Sequence, residues 1–458
     1  MARPFFSAKT SLLTLSFSIL VGCSATPERH NYSETAHEAL TTENTALFGE
    51  PQTRSEVLLL EDIINDPFLD ELTKQALQGN PSLQKTALSL EASAWNIKSL
   101  RGESLPSASA SLSAQESSDS DTTYSAGLSV SWQLDLWSKL NDSRSAAEKT
   151  LASDAETFRA SQATLVGNVM KNWLLLIANQ RAIDIEQQRL ILLETNEKLI
   201  IQRFRNGLGT LEGLDEAKTS TSQSRADLAE YQETLASNQR AMKLLLGDNK
   251  DFPMPPSKDY PEVYVSLDEL PAQDLSARPD IRAAYLAIEA ADLEANVAFK
   301  DMLPSLSLSA TLSDSGPSLR DALFVSPVWS LLGQLTAPLF QGGQLKAASE
   351  IAKLDVAQSY QDYRSTLLTA VNEVEDALGQ EKVINTQRMH IRDALTTAES
   401  NLSLYEQKYR GGLVELSDLI SAQQSVYDLE AQLDTLQYEQ LTNRVDLGLA
   451  LGLGVKNP

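Results

Sequence analysis

An internal repeat limits the possible folds of this 458-residue chain more than any other feature of its sequence. Four short motifs occur twice in the same order, separated by 198 residues in the first two pairs and by 205 in the last two. The pairs are Asn80-Pro81-Ser82-Leu83 with Arg278-Pro279-Asp280-Ile281, Leu105-Pro106-Ser107 with Leu303-Pro304-Ser305, Arg205-Asn206-Gly207-Leu208 with Arg410-Gly411-Gly412-Leu413, and Leu244-Leu245-Leu246-Gly247 with Leu449-Ala450-Leu451-Gly452. Self-similarity at a fixed period indicates a duplicated structural unit. We therefore predict two copies of one unit, at 61–249 and 275–454, joined by a proline-rich linker at 250–274.

Each predicted unit contains one long helical run without proline. The runs extend from Asn141 to Phe204 and from Gln344 to Tyr409, which corresponds to about 95 Å of helix at 1.5 Å per residue. Each long run ends at a turn containing glycine, Gly207 or Gly412, where a helix stops in a left-handed conformation. Shorter helical segments are predicted at Leu69–Glu103, Thr210–Leu246, Asp280–Met302 and Val414–Leu451. By length, two of these segments can stack end to end beside each long helix.

Each unit contains two segments that alternate between apolar and small polar residues. Those of the first unit lie within about 105–134, and those of the second within about 304–337. In Ser107–Ala114, for example, every second residue is a serine and the residues between them are alanine or leucine. One apolar face, one polar face and a length near ten residues are typical of a transmembrane β-strand beside a watery lumen. A strand of a soluble sandwich also has one polar face. Aromatic residues near the strand ends favour the membrane interpretation, namely Tyr124, Trp132, Trp137 and Trp329.

Four strands per chain cannot close a barrel, and an open sheet edge is not stable in lipid because its backbone groups lack hydrogen-bond partners. Other copies of the chain must therefore complete the sheet. Two copies supply eight strands and a filled interior, whereas three supply twelve strands and room for a channel. The loops at 115–123 and 313–326 are expected to face outward from the cell. The predicted fold class is mainly α with a membrane β-barrel, in which long helical columns form a tube below the strands.

The first 22 residues have the pattern of a secretory signal peptide. Arg3 and Lys9 supply the positive charge, and the apolar segment that follows is about eleven residues long, too short to span a bilayer as a helix. The segment ends at Leu20-Val21-Gly22-Cys23, which resembles a bacterial lipobox, so Cys23 is the predicted lipidation site. The alternative is an ordinary signal peptide followed by a chance cysteine. Ser24 in place of an aspartate favours the outer membrane.

The polar segment at 23–60 is expected to be a loosely structured tether, and 455–458 a C-terminal tail. Cys23 is the only cysteine, so a disulfide within the chain is impossible. The net charge of −24 argues against nucleic acid as a partner, because nucleic-acid binding requires basic surfaces. Motifs for catalysis, metal binding or nucleotide binding are missing from the sequence, and its three histidines do not form a cluster. We therefore predict no enzyme activity, no cofactor and no metal.

The motifs of the chain together resemble those of the TolC-like outer-membrane factors, in particular their lipoprotein branch. The residues that carry the resemblance are Arg278-Pro279-Asp280-Ile281-Arg282-Ala283-Ala284, Leu303-Pro304-Ser305-Leu306, Pro338-Leu339-Phe340-Gln341-Gly342-Gly343, and Tyr409-Arg410-Gly411-Gly412-Leu413 with Asp418-Leu419. The resemblance implies a homotrimeric export duct, with a twelve-stranded β-barrel in the outer membrane and a long α-helical barrel crossing the periplasm. It also implies two partners, a periplasmic adaptor (membrane fusion protein) and an inner-membrane pump.

The resemblance also implies which residues are functional, since in that family the helix tips close like an iris and dock the adaptor. By position, the tip residues are Arg205, Gly207, Leu208, Arg410, Gly412 and Leu413. Tyr409 and Asp418 match a tyrosine that holds the closed gate and an aspartate that lines the constriction. Two positions depart from the pattern, because Ser421 replaces a second aspartate and Gly213 replaces the acid that faces the tyrosine. Glu212, beside Gly213, is the candidate substitute, whereas Asp418 has the alternative of being a solvated helix acid.

The leading hypothesis is a passive outer-membrane channel of a tripartite efflux or export system, anchored by lipid and extending into the periplasm. An outer-membrane duct of a type I protein secretion system is one alternative. A lipid-anchored periplasmic coiled-coil scaffold without a pore is a second. The alternating strands distinguish the channel from the scaffold, because a scaffold has no use for strands with one lipid-facing and one water-facing side.

Overall fold

A computed structural model describes residues 31–48, 59–64, 66–118, 120–252, 259–261, 275–323 and 325–456. Cys23, the signal segment and most of the linker at 250–274 lie outside these ranges. The described residues form α1 (Tyr32–Phe48), α2 (Pro67–Gly79), α3 (Pro81–Glu103), β1 (Ser107–Ser117), β2 (Ser120–Leu134), α4 (Lys139–Arg205), α5 (Leu211–Leu246), α6 (Pro279–Lys300), β3 (Ser305–Gly316), β4 (Val328–Thr336), α7 (Gln344–Arg410) and α8 (Leu416–Ala450). Short 3₁₀ turns at Leu60–Ile63 and Leu275–Ala277 precede the two units.

The long helices α4 and α7 contain 67 residues each, close to the predicted lengths. Neither contains proline, and each contains a single glycine, Gly167 or Gly379, so nothing in their interiors forces a kink. The start of α4 is defined by Asp135, whose carboxylate accepts hydrogen bonds from the backbone N–H groups of Leu140 (3.1 Å) and Asn141 (3.0 Å). These donors belong to the first turn, where N–H groups have no partner within the helix.

The helices lie side by side as four columns. One side of α4 packs against α3 and α5, and its other side packs against α6 and α8. The same α6 and α8 also pack against α7, so the column order is α3 with α5, then α4, then α6 with α8, then α7. The two short helices of a column together are slightly shorter than the long helix beside them, as the helix lengths predict.

One helix prediction was wrong, because the segment Leu69–Glu103 is divided into α2 and α3 at Asn80-Pro81. Asn80 is the N-cap of α3, and its Oδ1 accepts a hydrogen bond from the backbone N–H of Leu83 at 3.0 Å. Pro81 occupies the first helical position, where its missing N–H costs nothing. The break leaves α3 with 23 residues and α6 with 22, so the two units match each other more closely than predicted.

The four strands form one antiparallel sheet in the order β1-β2-β3-β4. The register aligns residues of the same kind, for example Leu128 opposite Leu312 and Ser129 opposite Thr311. One face of the sheet is therefore apolar and the other hydroxyl-rich, as predicted. The hydroxyl face contains cross-strand contacts of 2.6 to 2.8 Å, between Ser107 and Ser131, Ser109 and Ser129, and Thr311 and Ser330.

The predicted loop limits require correction, since hairpin pairing extends the strands beyond the alternating segments. β1 continues to Ser117 and β2 begins at Ser120, so the first loop is much shorter than 115–123. β3 continues to Gly316, and the second loop occupies 317–327 instead of beginning at 313. At the other end of the sheet, β4 stops at Thr336, one residue before the predicted 337.

The segment at 23–60, predicted to be loosely structured, contains helix α1. α1 packs against α7 and α6. Its Tyr32 ring lies 5.2 Å from the ring of Tyr360, and the Tyr363 hydroxyl donates a hydrogen bond of 3.0 Å to the carbonyl of Ala36. The helical pattern of α1 is weak, so its structure depends on these contacts with residues more than three hundred positions away. Local periodicity could not reveal it.

Among the helices of the described ranges, none combines the length and apolarity needed to cross a bilayer.

Candidate functional site

Both hairpin tips have the same backbone structure. After α4, Gly207 has a φ of +73°, and the N–H of Leu208 donates to the carbonyl of Arg203 at 2.8 Å. After α7, Gly412 has a φ of +68°, and the N–H of Leu413 donates to the carbonyl of Lys408 at 2.9 Å. These are Schellman motifs, in which a left-handed glycine lets the chain reverse while its N–H groups satisfy the last carbonyls of the helix.

The tips expose apolar and basic side chains together. Leu208 and Leu413 are 70% and 77% exposed, although this position of a Schellman motif commonly packs back on its own helix. Arg205 and Arg410 are exposed on the last turns of α4 and α7. Among the described residues, the Arg410 guanidinium forms an ion pair only with Glu406, at 3.9 Å, which is a weak surface pair. The tips are therefore suited to a partner that buries leucine and pairs with arginine.

The two tips differ where the next helix begins. α5 begins after Thr210, whose hydroxyl accepts a hydrogen bond from the Gly213 N–H at 3.2 Å. α8 begins after Glu415, whose backbone N–H donates to Asp418 Oδ2 at 3.0 Å. Asp418 thus already has a capping role within its own helix, and its position in the first turn is favourable for a negative charge. Glu212 occupies the first turn of α5 and is exposed.

The structure of one chain does not bring the predicted gate residues together. Tyr409 is half-buried on the last turn of α7, whereas Asp418 and Glu212 are exposed on α8 and α5. Within the described ranges, hydrogen bonds and ion pairs connect none of these three side chains with another. A gate built from them therefore requires contacts between separate copies of the chain.

A joint between helix ends was not identified as a functional feature from the sequence. Arg278, which precedes α6, is 6% exposed and donates to the carbonyl of Ala450 at 2.8 Å. Its guanidinium also pairs with Asp280 and Glu373, at 2.7 Å each. In the first unit the amide of Asn80 donates to the carbonyl of Leu245 at 2.9 Å. Both joints therefore tie the start of one half-length helix to the end of the other.

A cavity of about 750 Å³ lies beside the second joint, between α4, α7 and α8. Four carboxylates line it, those of Asp280, Glu373, Asp376 and Asp446. Arg278 pairs with the first two, and Lys171 pairs with Asp446 at 2.8 Å. In the sequence, the repeated Arg/Asn-Pro motif indicated where the joint lies. It did not indicate the four acids, because they come from helices far apart in sequence and share no regular spacing.

A buried polar network connects α7 and α8 below the joint. Glu381 is 1% exposed and accepts hydrogen bonds from Arg444 (2.6 Å), Gln440 (3.0 Å) and Asn443 (3.3 Å). Burial alone would raise the pKa of Glu381, but the hydrogen bonds from Arg444 and Gln440 outweigh burial and hold the pKa below its ordinary value. The carboxylate is therefore ionised at neutral pH.

A second network involves the linker between the units. Arg181 of α4 forms an ion pair with Asp434 of α8, and its guanidinium lies 5.3 Å from the ring centre of Tyr260. The Tyr260 hydroxyl donates to Asp434 Oδ2 at 3.1 Å. Burial, reinforced by Asp434, raises the pKa of Tyr260 well above its ordinary value, so the phenol stays protonated. The described part of the chain contains no group of side chains suited to holding a metal ion.

The sheet is open at both ends. β1 and β4 each have one strand neighbour, so their outer edges present unpaired backbone groups. Two tryptophans anchor the sheet at the end nearest the helices. The indole N–H of Trp132 donates to the carbonyl of Ser104 at 3.0 Å, and that of Trp137 donates to the carbonyl of Pro304 at 2.7 Å. Amphipathic indoles at this level match an aromatic belt at a membrane interface.

Known proteins are similar to this chain in both sequence and fold. A family model described as outer membrane efflux protein matches residues 72–248 and 270–453. The chain is 28% identical over 473 residues to the toluene efflux pump outer membrane protein TtgF of Pseudomonas putida, with 98% of each chain covered. It is 28% identical over 397 residues to the pyoverdine export outer membrane protein OpmQ of Pseudomonas putida, covering 83% of this chain and 80% of OpmQ.

Among solved structures, the open state of the MtrE outer membrane channel of Neisseria gonorrhoeae has a TM-score of 0.78 with this chain. It is 24% identical, and the match covers 89% of this chain and 95% of MtrE. The predicted fold class and the resemblance to TolC-like outer-membrane factors are thereby confirmed.

Proposed function

The chain belongs to the outer membrane efflux protein family, and on that basis we propose that it is the outer-membrane channel of a tripartite efflux system. Three copies assemble into a passive conduit, which meets a periplasmic adaptor and an inner-membrane pump. The chain performs no chemistry, because its family consists of efflux channels and not enzymes. Energy for transport comes from the pump.

The open sheet is the observation that carries this proposal. With an apolar face, a hydroxyl face and two unpaired edges, the sheet satisfies its backbone groups in lipid only when β4 of one copy pairs with β1 of the next. Three copies give twelve strands around a lumen lined by serine and threonine. A pore-free scaffold leaves these edges and faces unexplained, so we set that alternative aside.

The outer helical columns support the same assembly. α3 exposes Leu88 and Trp95, and α7 exposes Ile351 and Leu354, at comparable distances from the sheet. These two columns are the first and last in the chain, and each lacks a neighbour on one side. Packing α7 of one copy against α3 of the next buries all four side chains and closes a ring of twelve columns.

The hairpin tips are the proposed adaptor-docking surface. Leu208 and Leu413 supply exposed apolar contacts, and Arg205 and Arg410 supply charges that the chain itself uses little. Gly207 and Gly412 provide the turns that hold them. Tyr409, Asp418 and Glu212 are the proposed gate, in which threefold symmetry brings together side chains that are separate in one copy.

We propose that Cys23 carries the lipid that anchors the mature chain to the outer membrane. The lipobox resemblance supports this assignment. Replacing Cys23 by serine is expected to abolish incorporation of labelled palmitate. Unchanged labelling would contradict it.

Reconstitution tests the proposed channel directly. The purified full chain is expected to run as a heat-resistant trimer in detergent and to conduct ions in a planar bilayer. The Asp418→Ala variant tests the gate, and we expect its conductance or its block by divalent cations to differ from those of the unmutated protein. A monomer that inserts without conductance would overturn the channel. Unchanged conductance and block in Asp418→Ala would remove only Asp418 from the gate.

The secretion alternative is tested through the partners. Cells lacking the chain are expected to accumulate small toxic molecules, and restoring the chain is expected to reverse the accumulation. If the same cells retain a secreted protein and show unchanged sensitivity to small molecules, the duct belongs to a type I secretion system. The names of TtgF and OpmQ, for toluene efflux and pyoverdine export, favour small-molecule cargo.

A further inference from the structure

The loop between β3 and β4 folds over the apolar face of the sheet. Strand β3 keeps a regular register to its end, so Asp314 and Gly316 lie on the same face as Leu312. A Cβ at Gly316 would lie 2.6 Å from Cβ of Asp321, which places the loop directly above that face. The Asp314 carboxylate accepts a hydrogen bond from the Ser326 N–H at 2.7 Å. The loop is thus tied to the apolar face at two points.

Burial supports the same position. Ala126, the cross-strand partner of Asp314, is 5% exposed, whereas Leu128, the next residue on the same face, is 47% exposed. Ala322, within the loop, is completely buried. Because the rest of the apolar face is open in a single chain, the low exposure of Ala126 indicates that the end of this face is covered.

The loop has a defined internal structure. The Ala322 N–H donates to the carbonyl of Ser318 at 3.1 Å, and the Leu323 N–H donates to the carbonyl of Arg320 at 3.3 Å. The Ser318 hydroxyl also donates to Asp321 Oδ2 at 2.6 Å. These bonds form a helical turn whose outward side chains are set by the backbone.

The outward side chains of this turn are unusual for a loop in water. Leu319, Leu323 and Val325 are 46%, 54% and 66% exposed, and Arg320 is exposed beside them. The first hairpin, by contrast, is short and carries serine and acidic residues at 116–121. The exposed apolar residues are therefore specific to the second hairpin.

We propose that this loop is a membrane foot, which rests on the outer leaflet of the membrane beside the barrel. The inference depends on the proposed function, in which the apolar face of the sheet contacts lipid. Asp314 follows Leu312, the last apolar residue of β3, by two positions, or about 7 Å along the strand. The loop therefore lies at the boundary between acyl chains and headgroups. Leucine and valine there enter the acyl region, and Arg320 meets anionic headgroups.

Site-directed spin labelling of the full-length trimer in phosphatidylethanolamine–phosphatidylglycerol vesicles tests the foot. Labels are placed on Leu323→Cys, on Leu331→Cys of the apolar face and on Ser309→Cys of the hydroxyl face. The unmutated protein, with Cys23 as its only cysteine, supplies the background. Oxygen reports contact with lipid, and a water-soluble nickel chelate reports contact with water. We expect an oxygen-to-nickel ratio several-fold higher at Leu323→Cys than at Ser309→Cys.

Each of the other possible labelling results contradicts one specific part of the proposal. If Leu323→Cys is as open to nickel as Ser309→Cys, the loop is in water and the foot is wrong. If Leu323→Cys is closed to both reagents, the loop contacts a neighbouring protein copy, which also overturns the foot. If Leu331→Cys is open to nickel, the lipid-facing barrel itself fails, and with it the proposed function. The foot and the barrel are therefore tested by separate labels.

The hydrogen bond between Asp314 and Ser326, which holds the foot, has its own test. Replacing Asp314 by alanine removes the acceptor for Ser326, and the Leu323→Cys label is expected to become several-fold more accessible to nickel. Asparagine retains an acceptor oxygen, so Asp314→Asn is expected to keep the label in lipid. Equal accessibility in the alanine and asparagine variants would show that Asp314 does not position the loop.

Discussion

Gly247 and Gly452 follow the half-length helices α5 and α8 with the same φ of +70°, and each lies against the start of another helix. A Cβ at Gly247 would be 2.1 Å from the carbonyl oxygen of Gly79, and one at Gly452 would be 2.8 Å from Cγ of Arg278. Gly412 has a similar φ of +68°, but a Cβ there would have no neighbour within 4 Å. Gly412 therefore has only the left-handed backbone, whereas Gly247 and Gly452 combine that backbone with close steric contact.

This contrast predicts different costs for two glycine-to-alanine substitutions. Gly412→Ala is expected to lose about 1 to 2 kcal/mol from the left-handed backbone alone. Gly247→Ala adds a clash with a backbone carbonyl that cannot rotate away, so its loss is expected to be clearly larger. Thermal unfolding of the trimer, followed by circular dichroism, measures both. Equal melting temperatures would contradict the close packing at the joint.

The ionisation of Glu381 predicts how the stability of the folded chain depends on pH. Its pKa is lowered in the folded chain, so its contribution to stability is complete above about pH 4.5 and is lost as the pH falls through the folded pKa. Glu381→Gln removes the carboxylate that pairs with the half-buried Arg444 guanidinium at 2.6 Å, which is expected to cost about 3 kcal/mol at pH 7. The difference from the unmutated chain is expected to shrink as the pH falls below about 4.5, as measured by thermal unfolding at each pH. Glu439→Gln, on the exposed side of α8, is the control and should show no such difference.

At the scale of elements, α1 is a strap across α7. The helix contacts the rest of the chain through Tyr32, Ala36, Leu40 and Leu47, and through the side chain of Asn44. Asn44 Oδ1 accepts a hydrogen bond of 2.8 Å from the N–H of Leu275, at the start of the second unit. The strap therefore links α1, at the start of the described chain, to the level of the joint.

Tyr363→Phe is expected to loosen this strap without unfolding the columns. The substitution removes the hydroxyl that donates to the Ala36 carbonyl; the carbonyl keeps its helical partner, the Leu40 N–H, so the expected cost is about 1 kcal/mol. Hydrogen exchange followed by mass spectrometry should show faster exchange in α1 and unchanged exchange at the tips. Tyr405→Phe, near the second tip, is the matched control. Unchanged exchange in α1 would show that the strap is held by other contacts.

At the scale of the whole molecule, a single chain is an open assembly of columns and strands. Its outer helices expose leucine and tryptophan, and its outer strands expose backbone groups. The same chain exposes leucines at the hairpin tips, about 100 Å from the sheet at 1.5 Å per helical residue. We propose two different roles for these exposed apolar residues, assembly for those of the outer helices and docking for those of the tips.

Two leucine-to-aspartate variants distinguish these explanations. Leu354→Asp places a charge on the outer face of α7, where leucine is 69% exposed in one chain, and is expected to abolish the trimer in native electrophoresis. Leu413→Asp at the tip is expected to leave the trimer intact but to remove efflux in cells. If Leu413→Asp disrupts the trimer, or if Leu354→Asp leaves it intact, the assignment of these faces is wrong.

The sequence alone determined the duplicated unit, the lengths of the long helices, the alternation of the strands and the glycine turns at the tips. These features are periodic or local, so short stretches of residues encode them, and the family resemblance follows from the same motifs. Tertiary structure decided the helix α1, the network around Glu381 and the loop over the sheet. Each of these depends on a partner distant in sequence or on the path of a loop, such as the Ala36 carbonyl for Tyr363 or the Ser326 N–H for Asp314. Such pairings have no period, because they exist only when packing brings the partners together.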